Sequence, residues 1–74
     1  MLHGELIFSQ ECGRLDIKLD SDETATSGGL HCGECLDVLI DGKWKASRVE
    51  YSGGWFLVGL FPVGQIPSGL SVRY

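Results

Sequence analysis

Short stretches in which apolar and polar residues alternate, separated by glycine-rich turn signals, occupy most of this chain. The clearest runs from Leu36 to Tyr51. Leu36, Val38 and Ile40 share one face of an extended segment, opposite Asp37 and Asp41. Asp41-Gly42 tolerates the positive φ angles of a two-residue hairpin turn, and a second strand follows from Lys43 to Tyr51. Gly4 to Ser9 reads as a first strand centred on Leu6, Ile7 and Phe8. Leu15, Ile17 and Leu19 alternate with Asp16 and Lys18, which places the aliphatic residues inward and the charged ones in water. Trp55 to Phe61 is apolar on both faces and reads as one central strand covered on both sides. Leu70, Val72 and Tyr74 alternate again and close the sheet. Turns are expected at Glu11-Cys12-Gly13 and Ser52-Gly53-Gly54, a mobile loop over Asp20 to Gly29, and a loop holding both prolines over Pro62 to Gly69. No helical periodicity appears.

These elements predict a single all-β domain over residues 1–74, a small antiparallel barrel of five to six short strands. One ambiguity lies in the hairpin's second strand. With Val49 and Tyr51 inward, Ser47 follows them, and Trp44, Ala46, Arg48 and Glu50 lie on the other face. A bulge near Ala46-Ser47 would reverse this and bury Trp44.

Charge sharpens the picture. The 74 residues carry a net charge of −4, which argues against general affinity for nucleic acid or anionic membrane. The distribution is uneven: residues 1–41 hold nine acids and two bases, while residues 42–74 hold only Glu50 against Lys43, Lys45, Arg48 and Arg73. Mutual attraction between the halves is the simpler account. The sharper one is a basic patch around Lys43, Lys45 and Arg73 that meets an acidic partner. No basic segment followed by an apolar run opens the chain, and no apolar run is long enough to span a bilayer as a helix. A cytoplasmic protein with free thiols is therefore expected, since the three cysteines cannot all pair within one chain.

Candidate chemistry is sparse. His31-Cys32-Gly33-Glu34-Cys35 contains the one close thiol pair. With Cys12 and a histidine (His31 or His3) it is the candidate zinc set, although a second close pair is lacking. A redox dithiol is disfavoured because the pair leads into a strand rather than a helix, and packing is the expected role of these thiols. No nucleophile elbow, phosphate-cradling loop or acid pair beside an apolar pocket is present. The chain is therefore expected to be non-enzymatic and without a cofactor. Trp44, Tyr51, Trp55 and Phe56 remain as candidate binding aromatics.

The order Leu-x-Val-x-Ile-Asp-Gly-x-Trp followed by Arg-Val-Glu-Tyr resembles the central strands of SH3-like and Tudor-like small barrels, with Asp41, Gly42, Trp44, Ser47 and Val49 matching that plan. The aromatic cage of methyl-lysine readers is not recognisable. Gly29-Leu30-His31-Cys32-Gly33-Glu34, the Leu36 to Tyr51 hairpin, Gly54 to Leu60 and Gly69 to Arg73 together resemble a family of short uncharacterised bacterial proteins, a domain of unknown function. That resemblance implies a setting in Gram-positive bacteria and their conjugative or phage-like elements, without implying an activity.

The expected function is thus a small interaction module that binds a protein through Trp44, Lys43, Lys45, Arg48 and Tyr51. The alternatives are a zinc-stabilised module on Cys12, Cys32, Cys35 and a histidine, a nucleic-acid-binding accessory protein of a mobile element, and a homo-oligomer sealed through Trp55 to Phe61.

Overall fold

The structure is a computed structural model that describes residues 1–26 and 28–74. Six strands follow one another: β1 (His3–Ser9), β2 (Arg14–Leu19), β3 (Cys35–Ile40), β4 (Lys43–Tyr51), β5 (Trp55–Leu57) and β6 (Ser71–Arg73). All pairings are antiparallel, and the strands form one open sheet in the order β2-β1-β6-β3-β4-β5. The all-β expectation holds, and the arrangement is consistent with an SH3-like plan. The sheet curls far enough that the Trp55 indole N–H of β5 donates to the Gly13 carbonyl just before β2, at 3.3 Å.

Alternation builds the core. Leu6, Leu15, Ile17, Leu36, Val38, Val49, Leu57 and Val72 come from all six strands, and Leu30 joins them from the segment before β3. Each such aliphatic side chain contributes about 1.5–3 kcal/mol when fully buried. Close packing also dictates Gly4, where a Cβ would lie 2.3 Å from the Lys18 carbonyl oxygen and 2.9 Å from Ile17 Cγ2.

The β3–β4 turn is the one the sequence predicts. Asp41 and Gly42 both have positive φ, 50° and 78°, as a hairpin turn that matches the strands' right-handed twist requires. Register is unbroken from Cys35 opposite Arg48 to Ile40 opposite Lys43. The irregularity lies instead at Gly33-Glu34, where the Gly33 N–H donates to the Val49 carbonyl (2.8 Å) and the Val49 N–H donates to the Glu34 carbonyl (3.0 Å). Two residues thus face one, which is a bulge.

Four expectations need correction. Trp55 to Phe61 is not one central strand. Pairing with β4 stops near Val58, and the chain turns at Gly59 (φ 76°) so that Phe61 comes back beside Leu57. Glycine alone adopts that φ without strain, and apolar composition concealed the turn. Asp20 to Gly29 is not a free loop, because its described residues lie along the outer edge of β2. Leu19 N–H donates to Glu23, Ala25 N–H to Ile17 and Leu30 N–H to Leu15, at 2.7–2.8 Å; Ser27, in the same loop, lies outside the described residues. Asp16 is buried, not in water: its Oδ1 accepts from the Ile17 N–H (2.7 Å) and the Thr26 hydroxyl (2.9 Å), so the strap that covers β2 also satisfies its charge. Tyr51 is exposed, not inward, because β4 runs past the end of the core there.

Candidate interaction surface

The register of β4 decides the hairpin's faces. Directly opposed residues share a face, so Trp44 lies with Leu39, and Ala46 with Asp37, while Lys43 and Lys45 lie with Ile40 and Val38. Trp44 is 36 % exposed. It is nevertheless held: the Arg73 guanidinium lies 4.4 Å from its ring centroid, and the His3 ring meets it edge-on at 6.0 Å. Arg73 is fixed in turn by Asp37 Oδ2, which accepts from its Nε at 2.8 Å. The sheet makes this stack possible by placing Arg73 of β6 opposite both His3 of β1 and Asp37 of β3. A cation over an indole contributes about 0.5–1 kcal/mol at an exposed site, so the ring is anchored while part of its surface stays open.

The hairpin cations fall into two kinds. Arg48 is tied to Glu50 at 2.9 Å. Lys43 and Lys45, both exposed, make no ion pair among the described residues. Tyr51 does not join Trp44, since it lies seven positions further along the strand, about 23 Å away. Its ring instead meets Trp55 at 5.0 Å in a T-shaped contact, and the Arg14 guanidinium lies 5.6 Å from the Trp55 centroid.

Cys12 and Cys32 open onto the Tyr51–Trp55 pair across a cavity of about 350 Å³. Cys35 stands apart, opposite Arg48 on β3. All three thiols are free and exposed, so the packing role expected of Cys32 and Cys35 does not hold. Among the described residues no group of three His, Cys, Asp or Glu side chains is close enough to hold a metal ion, so the zinc candidates Cys12, His31, Cys32 and Cys35 are not assembled as a set. A second hollow, about 360 Å³ and mostly apolar, lies between Phe8, Trp55, Val63, Ile66 and Pro67.

One polar cluster ties the residue after β6 to the segment that enters β3. The Tyr74 hydroxyl donates to Glu34 Oε1, while Glu34 Oε2 accepts the His31 backbone N–H at 2.5 Å. Burial pushes the Glu34 pKa up, but these hydrogen bonds and the neighbouring His31 outweigh it and hold the carboxyl below its ordinary value. The bond to Glu34, reinforced by burial and by the carboxylates of Glu34 and Asp16, raises the Tyr74 pKa.

The signals for Trp44, Lys43 and Lys45 were local to the hairpin. His3 was missed as a partner of Trp44, and Asp37 as the residue that holds Arg73 over it, because they lie on other strands. Arg14 was missed as a partner of Trp55 for the same reason.

Comparison with known proteins leaves activity open. The family model for a domain of unknown function, DUF5348, matches residues 4–74. A crystal structure of a protein from Ruminococcus gnavus is similar with a TM-score of 0.82 at 43 % identity, over 97 % of this chain and 99 % of that one. No curated protein matches.

Proposed function

For this chain, which belongs to the DUF5348 family of unknown function, we propose the role of a small non-enzymatic interaction module that binds a protein partner through the β3–β4 hairpin. The observation that carries this reading is Trp44, immobilised against Arg73 and His3 and still partly open, beside the unpaired Lys43 and Lys45. An aromatic side chain already fixed in place loses little conformational entropy on docking, which favours it as an anchor. Unpaired cations on an otherwise acidic chain favour an acidic partner and speed its approach. Tyr51, remote from Trp44, belongs to a separate surface with Trp55. The setting in Gram-positive bacteria and mobile elements, and a cytoplasmic location, rest on the family resemblance and the sequence; gene neighbourhood tests the former.

Affinity capture with wild type and with Trp44→Ala, compared at matched thermal stability, tests the surface. The reading expects a partner enriched by the wild type and depleted with the variant. Equal recovery by both rejects this surface. Binding of single- or double-stranded DNA that weakens steeply with salt would replace the protein-binding reading with the nucleic-acid one.

A further inference from the structure

Resting on that reading, the structure points to how the partner docks: we propose that an acidic, extended segment adds as a strand to the free edge of β4 between Lys43 and Ser47. β4 has nine residues, but β5 pairs only with Val49, Glu50 and Tyr51. One further bond, from the Val58 N–H to the Arg48 carbonyl at 3.1 Å, continues the ladder. At Gly59 the chain turns back on itself, and among the described residues the first half of β4 has no neighbour on that side.

Strand geometry identifies which backbone groups are left open. Val49 exchanges its bonds with the Gly33-Glu34 bulge, so the odd residues of β4 turn their N–H and C=O toward β3. Alternation turns the even residues the other way, as the Arg48 carbonyl's bond to Val58 demonstrates. The N–H and C=O of Trp44 and of Ala46 therefore point outward from the edge. An unpaired edge of this kind is a template for another strand.

Side chains along the edge define what fits. Lys43 and Lys45 point to one face and are unpaired; Trp44, Ala46 and Arg48 point to the other. A shallow hollow of about 240 Å³ lies at the edge between Cys35, Ala46, Ser47, Arg48 and Val58. An incoming strand that alternates acidic and apolar residues sets its carboxylates against the two lysines and its apolar side chains beside Trp44 and over Ala46. A second copy of this chain is the wrong occupant. Antiparallel pairing of two such edges about their midpoint would set Lys45 of one copy directly against Lys45 of the other, with Lys43 on the diagonal, and like charges directly opposed are destabilising.

An alternating Glu–Val octapeptide carrying a fluorophore provides the test, with binding to the intact protein read by fluorescence anisotropy. Saturable binding is expected. It should weaken at least about tenfold with Lys43→Glu/Lys45→Glu, whose positions are exposed and whose fold is checked by circular dichroism. An alternating Lys–Val octapeptide should not bind. The decisive comparison leaves the protein untouched. The peptide is N-methylated either at every odd or at every even residue, which removes the amide donors along one edge at a time. Strand addition expects one series to bind at least about tenfold more weakly than the other. Equal affinity of the two series, an unchanged affinity of the lysine variant, or no binding at all would overturn the proposal. If affinity capture still depends on Trp44 when the peptide fails, only the docking mode falls; if capture is indifferent to Trp44, the surface itself is wrong. Concentration-dependent self-association that the peptide fails to displace would assign the edge to a second copy and refute the acidic partner.

Discussion

Removing one oxygen, in Tyr74→Phe, tests whether the polar link between the last residue and the β3 entry stabilises the fold. The hydroxyl donates to a Glu34 carboxylate that is 29 % exposed. A hydrogen bond to a charged group contributes about 1.5–3 kcal/mol when well shielded, and partial exposure brings this one to or just below the bottom of that range, about 1–1.5 kcal/mol. For a domain of this size that corresponds to a Tm about 5–10 °C lower at pH 7. The effect must also depend on pH, with a definite sign. The folded pKa of Glu34 is depressed, so its contribution is complete above the ordinary glutamate value of about 4.3 and is lost as pH falls through the lower, folded value. The folded pKa of Tyr74 is raised, so its contribution is complete below about 10 and is lost as pH rises through the higher, folded value. The gap between wild type and variant should therefore be widest near neutrality. As pH falls through the depressed folded value of Glu34 it should shrink toward about 0.5 kcal/mol, the contribution of a neutral pair, and it should narrow again as pH rises through the raised folded value of Tyr74. Urea melts at pH 3, 7 and 11 measure this directly. A gap of constant size across the three values would refute the charged hydrogen bond as its source.

Two further substitutions probe the packing. Gly4→Ala places a Cβ within 2.3 Å of the Lys18 backbone, and neither paired strand can retreat freely; a loss of about 1–3 kcal/mol is expected, and a stability within about 0.3 kcal/mol of wild type in urea would show that β1 and β2 are not so closely apposed. Arg73→Gln removes both the Asp37 ion pair and the cation over Trp44; a loss of about 1 kcal/mol should accompany greater acrylamide quenching of Trp44 fluorescence measured in a Trp55→Phe background, and unchanged quenching would mean that Arg73 does not cover the ring.

Period-two alternation made β1 to β4 legible because half of each strand's residues must enter one small core. Asp41-Gly42 marked the hairpin turn, but the face of Trp44 stayed open in the sequence and is set by the unbroken β3–β4 register. Failure came where alternation carries no information. Trp55 to Phe61 is apolar throughout, so nothing in its pattern separates a long strand from a short one followed by a turn; only Gly59 signalled the break. Asp16 looked solvated because a strand's polar positions usually are, yet a distant hydroxyl from Thr26 and the covering strap satisfy it. The partners of Trp44 come from β1, β3 and β6, and that meeting follows from strand order, which local sequence does not specify.

The misjudged strand is also what gives the hairpin its open flank. Had β5 continued to Phe61 in the same register, its backbone would have covered Ala46 and reached Lys45, and most of this edge would lie inside the sheet. Because the chain turns at Gly59, the edge is bare, and bare edges in small β proteins commonly carry lysine to block unwanted pairing. The same charges that discourage a second copy lower the cost of an acidic strand, so protection and selectivity come from the same two residues. The two roles separate under charge neutralisation. Lys43→Ser/Lys45→Ser should abolish preference between the Glu–Val and Lys–Val peptides and promote self-association at high concentration. Sedimentation velocity read together with peptide anisotropy distinguishes them: a variant that stays monomeric and keeps its preference for the acidic peptide would mean that the lysines perform neither role.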